Sequence, residues 1–511
     1  MGVPYQPHNY QAKAILFGII NTFCALFLDP GLGKTSITLS IFRALQRLGL
    51  VRSALIVAPL RVVYSVWPAE CEKWEPFGSI TLSIIHGDET KRLKALKADA
   101  DLYLINPEGV VWLEKIKSGE RRREVKREVK AIQEDMIVCQ DDDHHAKLCK
   151  RLEKMVALMR LVIDAKLPTT LDLLVIDEST KFKTSKSSRF RSLRKLLGLF
   201  QRRMILTGTP TPKSYEDLWS QFFIVDRGDR LFPNVTEYYA KYFSQGGFKN
   251  RERFIYPGAD QMIQEQIRDV TLRLDADDHL DMPELIVNDI YVDLEPKPRK
   301  IYDSMEDLLF AELAAGVNVF AQSGSSKYNA CRQIANGGCY AKELFGTGDK
   351  TVHHIHEAKI DAVESLFNEL NGKPLLVFYL YRHDLLRLQK RFGDTRPFIA
   401  GGVSPKRTNE IVDQWNAKEI PLLFAQPAAM SHGLNMQAAG NDMAWLGLPD
   451  DLEHYEQAYR RIYRQGVVGG VRLHRIFCRN TVEAVVKNRT DQKDTSQRGF
   501  LNSLNDYRRN K

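Results

Sequence analysis

DPGLGKT, at residues 29–35, is the stretch whose reading decides the fold. It follows an apolar run, FCALFL at 23–28, and precedes a run of helical character at 36–48. Strand, glycine loop and helix in that order turn such a string into a cradle for phosphate. Gly31 and Gly33 let the backbone turn so tightly that several N–H groups point inward. The following helix adds the positive end of its dipole. On this reading Asp29, Pro30, Gly31, Leu32, Gly33, Lys34 and Thr35 form a nucleotide loop. Lys34 reaches the β- and γ-phosphates, and the Thr35 hydroxyl holds Mg²⁺. The general pattern carries a glycine six residues before the lysine, where this chain has Leu28. A chance Gly-Lys-Thr turn is the alternative, and the rest of the chain has to decide.

Outward from the loop, more apolar runs follow. ALIVAP at 54–59 ends in proline, and LYLI at 102–105 is followed by Asn106 and Pro107. The run at 171–176 ends in the acid pair Asp177 and Glu178, and that at 204–206 opens onto TGTP at 207–210. Short apolar runs alternating with helices predict a parallel sheet covered on both faces. Their polar stops then share the carboxyl edge, where open α/β sheets bind ligands. In a nucleotide site Asp177 would hold the metal and Glu178 would orient and deprotonate the attacking water. The bland reading is an acid pair at a helix start.

At 511 residues the chain is too long for one core, so about two to four domains are expected. Apolar residues at 44% and charged residues at 27% are ordinary for a soluble globular protein. The formal net charge of +9 favours a polyanion as partner. Seven scattered cysteines read as reduced thiols in a cytoplasm-like compartment. The one membrane-like stretch, 14–28, contains Asn21 and Thr22 and is shorter than the ~20 residues a spanning helix needs. No small-residue cleavage site follows it, so it reads as a buried helix and then the first strand.

The expected architecture is α/β, with two lobes of parallel sheet flanked by helices and a helical middle. The first lobe covers 1–225, with a charged helical insertion at about 112–167. The helical linker covers 226–350, the second lobe 351–488, and a basic tail 489–511. Strands of the second lobe are expected near 375–380, 422–424, 443–448 and 471–477. In the insertion, ERRREVKREVK at 120–130 mixes charges and reads as a solvated helix. Cys139, His144, His145 and Cys149 also fall there, at a spacing that fits no usual structural zinc pattern.

Two basic features remain. From Lys181 through Lys183, Lys186 and Arg189 to Lys195 nothing acidic intervenes, which suits contact with a phosphate backbone; a soluble loop and helix is the alternative. In QAYRRIYRQG, Gln457, Arg461 and Arg464 stand at i, i+4 and i+7, and share a face if helical. Such a face is usually solvated, yet it could supply arginine fingers to a γ-phosphate held on the other lobe. Hydrolysis would then depend on lobe closure.

The ordered set of strings resembles the Swi/Snf-like group of superfamily-two helicases, small bacterial or phage type. DPGLGKT resembles motif I, LIVAPLRVVYSVWPAECEKW at 55–74 motif Ia, and DEST at 177–180 motif II. LTGTPTPKSYEDLWS at 206–220 is similar to motif III and its helix, and MPELIVNDIYVDLEPKPRKIY at 282–302 to the crossing between lobes. PLLVFYLYRHDLLRL at 374–388, SHGLNMQAAG at 431–440 and QAYRRIYRQG at 457–466 resemble motifs IV, V and VI. The resemblance implies two RecA-like lobes, with ATP and Mg²⁺ between them and DNA, duplex rather than single-stranded, as partner. It implies that Gln11 contacts adenine and that Thr207 and Thr209 couple the ATP site to nucleic acid. Gly433 would lie near the nucleotide, and Arg461 and Arg464 would be the fingers. Thr180 replaces the usual motif II histidine, and Tyr463 a common histidine of motif VI. The implied activity is a nucleic-acid-stimulated ATPase that moves on DNA. A strand-separating helicase and a nucleotide-gated clamp with poor turnover are the alternatives.

Overall fold

The computed structural model describes residues 2–208, 215–246, 252–314, 326–345, 351–430, 434–492 and 507. They form two units, the first running to His279 and the second beginning at Leu280.

The first unit is built on seven strands. These are β1 (Phe23–Leu28), β2 (Ser53–Val57), β3 (Leu82–Ile85), β4 (Leu102–Ile105), β5 (Leu171–Asp177), β6 (Arg202–Thr207) and, beyond a hairpin, β9 (Thr271–Leu274). The hairpin itself is β7 (Phe243–Gly246) with β8 (Glu252–Ile255), antiparallel. The large sheet has the order β3-β4-β2-β5-β6-β1-β9, and every pair in it is parallel. Its central strands are continuous apolar runs because helices cover both faces: β2 and β4 are wholly buried, as is β6. Helix α1 (Asn9–Ile20) leads into β1, so the membrane-like stretch divides between a helix and a strand. Helix α2 (Lys34–Arg47) follows the glycine loop, and α3 (Leu60–Lys73) follows β2. Between β4 and β5 the chain runs through three helices, Gly109–Lys117, Glu120–Val138 and Asp142–Ile163. Val125, Val129 and Ile132 bury one face of the charged helix, and Arg121 beside it is half-buried in ion pairs with Glu89 and Glu124.

The second unit carries a parallel sheet of order β10-β17-β16-β13-β15-β14. Its strands are β10 (Leu285–Val292), β13 (Leu375–Phe378), β14 (Phe398–Ile399), β15 (Leu422–Ala425), β16 (Asp442–Trp445) and β17 (Val471–Cys478). A small antiparallel pair, β11 (Gly338–Tyr340) and β12 (Val352–His354), sits outside it. The stretch 226–350, expected as a helical linker, therefore holds strands β7 to β11 as well as helices. Two of them complete large sheets: β9 pairs with β1 and β10 with β17. Both are edge strands, and β10 is half exposed, so its sequence lacks the unbroken apolar run that marks a central strand. In the basic tail, Tyr507 stacks on Phe310 and donates to Glu306 at 2.8 Å.

Candidate nucleotide site

Three neighbouring strands, β5, β6 and β1, end side by side, and their ends carry the chemistry. After β1 the loop turns through Gly31 (φ +97°) and Gly33 (φ +80°), conformations that a side chain would strain. A Cβ on Gly33 would also lie 2.6 Å from Gln11 Nε2. Lys34 opens α2, and its Nζ donates back to the Leu28 carbonyl at 2.7 Å and the Asp29 carbonyl at 3.4 Å. Leu28, where the general pattern has glycine, extends β1 by one residue and pairs with Leu274 of β9. Asp29 N–H donates to the Leu274 carbonyl, so that amide points at the neighbouring strand, and Pro30 has no amide hydrogen to give. Neither Asp29 nor Pro30 thus offers the loop an inward N–H.

Gln11 holds the loop from α1. Its Nε2 donates to the Leu32 carbonyl at 3.2 Å and its Oε1 accepts from His8 N at 3.0 Å. Beside it Tyr10 stacks between the rings of His8 and His279.

Asp177 ends β5 and pairs with Leu206 of β6. Its half-buried carboxyl accepts from the Trp67 indole at 3.2 Å. Burial raises its pKa to about 6; the Lys34 charge pulls it down and Glu178 pushes it up. Glu178 sits at φ 68°, ψ 68°, a left-handed conformation that non-glycine residues adopt at a cost. Its Oε1 accepts from Thr180 at 2.8 Å and from Thr207 at 3.1 Å. Thr180, the departure from the usual motif II histidine, thus orients the acid. A Cβ on Gly208 would lie 3.3 Å from Pro30 Cδ and 3.4 Å from the Leu28 carbonyl oxygen, so the end of β6 packs against the loop. Thr209 and Gly433 lie outside the described residues.

In the second unit the expected helical face is corrected. The helix Leu452–Tyr459 carries Gln457 and stops two residues before Arg461. Arg461 and Arg464 ride on the turns that follow, held by their own side chains. Arg461 Nε donates to the Gln457 carbonyl and Arg464 Nε to the Arg460 carbonyl, each at 2.9 Å. Arg464 Nη1 also donates to Asn435 at 3.1 Å, and Met436 N–H to the Arg461 carbonyl at 3.2 Å. The strings at 434–440 and 457–466 are therefore hydrogen-bonded to one another. Gln457 Nε2 donates to Glu453 at 2.9 Å.

Of the basic run, Lys181 is half-buried, Lys183 lies 3.9 Å from Asp217, and Arg189 pairs with Glu108 at 3.1 Å. Lys186 is exposed. All seven cysteines are free thiols, and among the described residues no group of three or more His, Cys, Asp or Glu is placed to hold a metal ion. Cys139, His144, His145 and Cys149 accordingly form no such cluster. Among the described residues no helix is long and apolar enough to cross a membrane. Trp67 is the site residue that local reading missed. Its partner lies 110 positions away, and only its place in the motif Ia string hints at a role.

A parallel sheet whose carboxyl edge brings together a glycine loop with its lysine, an acid pair and a threonine defines a P-loop ATPase of the helicase class. Residues 20–337 match the family model described as the SNF2-related domain. Protein p41 of Acyrthosiphon pisum secondary endosymbiont phage 1 is 32% identical over 98% of this chain and 99% of its own. A Bacillus subtilis protein, YwqA, named as a candidate ATP-dependent helicase/translocase, is 23% identical over 66% of this chain; the match spans 36% of its length. The Sulfolobus solfataricus SWI2/SNF2 ATPase core, solved in complex with dsDNA, is 19% identical over 97% of this chain and 95% of that one, with a TM-score of 0.41. On the sequence matches, the chain belongs to the SNF2-related family. It is an enzyme, a nucleic-acid-stimulated ATPase, and its cofactor is ATP.

Proposed function

We propose that the chain is a DNA motor that hydrolyses ATP between its two lobes and moves along duplex DNA. The observation that carries this reading is the convergence of Lys34, Asp177, Glu178 and Thr207 at the ends of β1, β5 and β6, neighbours in one sheet. Lys34 exchanges its carbonyl partners for the β- and γ-phosphates, and Gln11 steadies the loop beside the adenine. Thr35 in the first turn of α2 and the half-buried Asp177 offer the oxygen ligands that Mg²⁺ prefers, so the residues fit that ion. Bound there, Mg²⁺ would neutralise charge on the phosphate oxygens. Glu178 orients the attacking water and takes its proton, held by Thr180 and Thr207. Arg461 and Arg464 stabilise charge on the γ-phosphate, while Gln457 and Gly433 line the nucleotide. Lys181, Lys183, Lys186 and Arg189 contact the DNA backbone, with Thr207 and Thr209 relaying between the sites. The family, the translocase name of the B. subtilis relative and the net charge of +9 support the reading.

The test is an ATPase assay with no nucleic acid, single-stranded DNA, duplex DNA and RNA, on wild type and Glu178→Gln. Duplex DNA should stimulate most, without strand displacement. Glu178→Gln should bind ATP and lose turnover. Equal stimulation by RNA, or displacement of a strand, would replace the translocase by a strand-separating helicase. Turnover near background with saturating DNA would leave a clamp.

A further inference from the structure

Asp29 makes two bonds that a phosphate loop does not itself require. Its N–H donates to the Leu274 carbonyl and its Oδ2 accepts from the Ala276 N–H, each at 3.2 Å. Both partners belong to the segment by which the chain leaves the first unit, which ends at His279. Ala276 opens the short turn Ala276–Asp278 that follows β9. On its other side, the dipeptide Leu28–Asp29 gives both carbonyls to Lys34 Nζ. One dipeptide is therefore bonded to the phosphate-reaching lysine and to the exit strand.

We propose that Asp29 is a positioning residue that transmits the state of the phosphate loop to residues 273–279, and so to the start of the second unit at Leu280. This rests on the reading of Lys34 as a triphosphate ligand. A lysine that turns to phosphate releases the carbonyls of Leu28 and Asp29. The dipeptide then shifts, and Leu274 and Ala276 follow because both are bonded to Asp29. Leu28 in place of glycine fits this role. Its side chain is wholly buried and keeps the last residue of β1 in register with β9.

Hydrogen exchange of the full chain, with and without a non-hydrolysable ATP analogue and Mg²⁺, tests the tether. In wild type the analogue should slow exchange at 31–36 and change it about fivefold at 271–279. In Asp29→Ala protection at 31–36 should remain, while the response at 271–279 shrinks below about twofold. Its DNA-stimulated kcat should fall about tenfold with the KM for ATP within about threefold. Asp29→Asn keeps an acceptor oxygen and should recover most of the response. Ala276→Pro removes the donor from the other side, at a position the extended Asp275 allows, and should reproduce Asp29→Ala. The double variant should be no worse than either single. These two variants carry the test if Asp29→Ala does not fold. An unaltered response at 271–279 in Asp29→Ala, or in Ala276→Pro, would overturn the tether. So would a raised KM with kcat intact, which would make Asp29 a nucleotide contact. Missing protection at 31–36 in wild type would remove the nucleotide site and the tether with it; protection there with a silent 271–279 would remove the tether alone.

Discussion

The Thr207 hydroxyl donates to Glu178 Oε1 at 3.1 Å, tying the end of β6 to the acid that follows β5. Thr180 donates to the same oxygen at 2.8 Å, so that carboxylate oxygen is held by two hydroxyls. A hydrogen bond to a charged group contributes about 1.5–3 kcal/mol. Thr207→Val keeps the shape and removes the donor. We expect kcat to fall about tenfold with the KM for ATP within about twofold, and Thr207→Ser to restore it. Steady-state ATPase kinetics decide; a Thr207→Val enzyme with wild-type kcat would show that the bond does nothing for turnover.

The backbone at Glu178 gives a second expectation. A left-handed non-glycine residue costs about 1–2 kcal/mol. Glu178→Ala and Glu178→Gly both lose the carboxylate and its two threonine bonds, but only glycine sheds the backbone cost. Glu178→Gly should therefore be the more stable of the two by about 1 kcal/mol in denaturant unfolding, though both lose turnover. Equal stabilities would mean that the turn relaxes once the side chain is gone.

How much of this was legible in the sequence depends on burial. Strands β1, β2, β4, β5 and β6 read directly because they are nearly all buried, which forces an unbroken apolar run. β9 and β10 did not read, because edge strands keep one side for other neighbours or solvent, and β14 is two residues long. The glycine loop and the acid pair were legible because their chemistry is local. The arginine turn was only half legible. Spacing of i, i+4 and i+7 says which residues share a helix face, not where the helix stops, and this one stops at Tyr459. The bonds Trp67–Asp177 and Asp29–Ala276 join residues more than 100 positions apart, and no local pattern encodes them.

Lys359 was equally hidden. It stands in the first turn of an ordinary-looking helix, Ala358–Glu369, yet it is wholly buried. Its Nζ donates to Glu483 at 2.6 Å, the Leu446 carbonyl at 2.7 Å and Asn336 at 2.9 Å. Removing one partner leaves a buried charge, so Lys359→Met should destabilise the protein by about 3–5 kcal/mol. The double variant Lys359→Met with Glu483→Gln should recover much of that in urea unfolding. A single variant as stable as wild type would mean that water reaches Glu483.

His356 sets an acid limit on the second unit. Its Nδ1 accepts from Ala358 N–H at 3.3 Å and its Nε2 bonds the Ile334 carbonyl at 2.8 Å, which fixes a neutral ring. Burial lowers its pKa from 6.5 to about 4; the Ile334 carbonyl and Glu357 oppose, and Arg387 and Lys359 add to the fall. The unfolded chain therefore takes up the proton first. The stability this ring contributes is complete above pH ~6.5 and is lost as pH falls toward ~4, about 3 kcal/mol in all. Unfolding free energies across that window should fall more steeply for wild type than for His356→Gln, and parallel curves would assign the acid sensitivity elsewhere.

The basic run after Glu178 divides by its partners. Arg189 shares its guanidinium with Glu108 at 3.1 Å, whereas Lys186 is exposed. A cation already paired gains less from a phosphate, since it must give up or share its carboxylate. Each phosphate neutralised on duplex DNA contributes about 0.9 to the slope of log affinity against log salt. Lys186→Ala should flatten that slope by nearly this amount and Arg189→Ala by less, in duplex binding titrated from low to physiological salt. If the two variants shift it equally, the Glu108 pair is too weak in solution to matter. If neither shifts it, this run does not lie on the backbone, and the DNA path must be sought on another face.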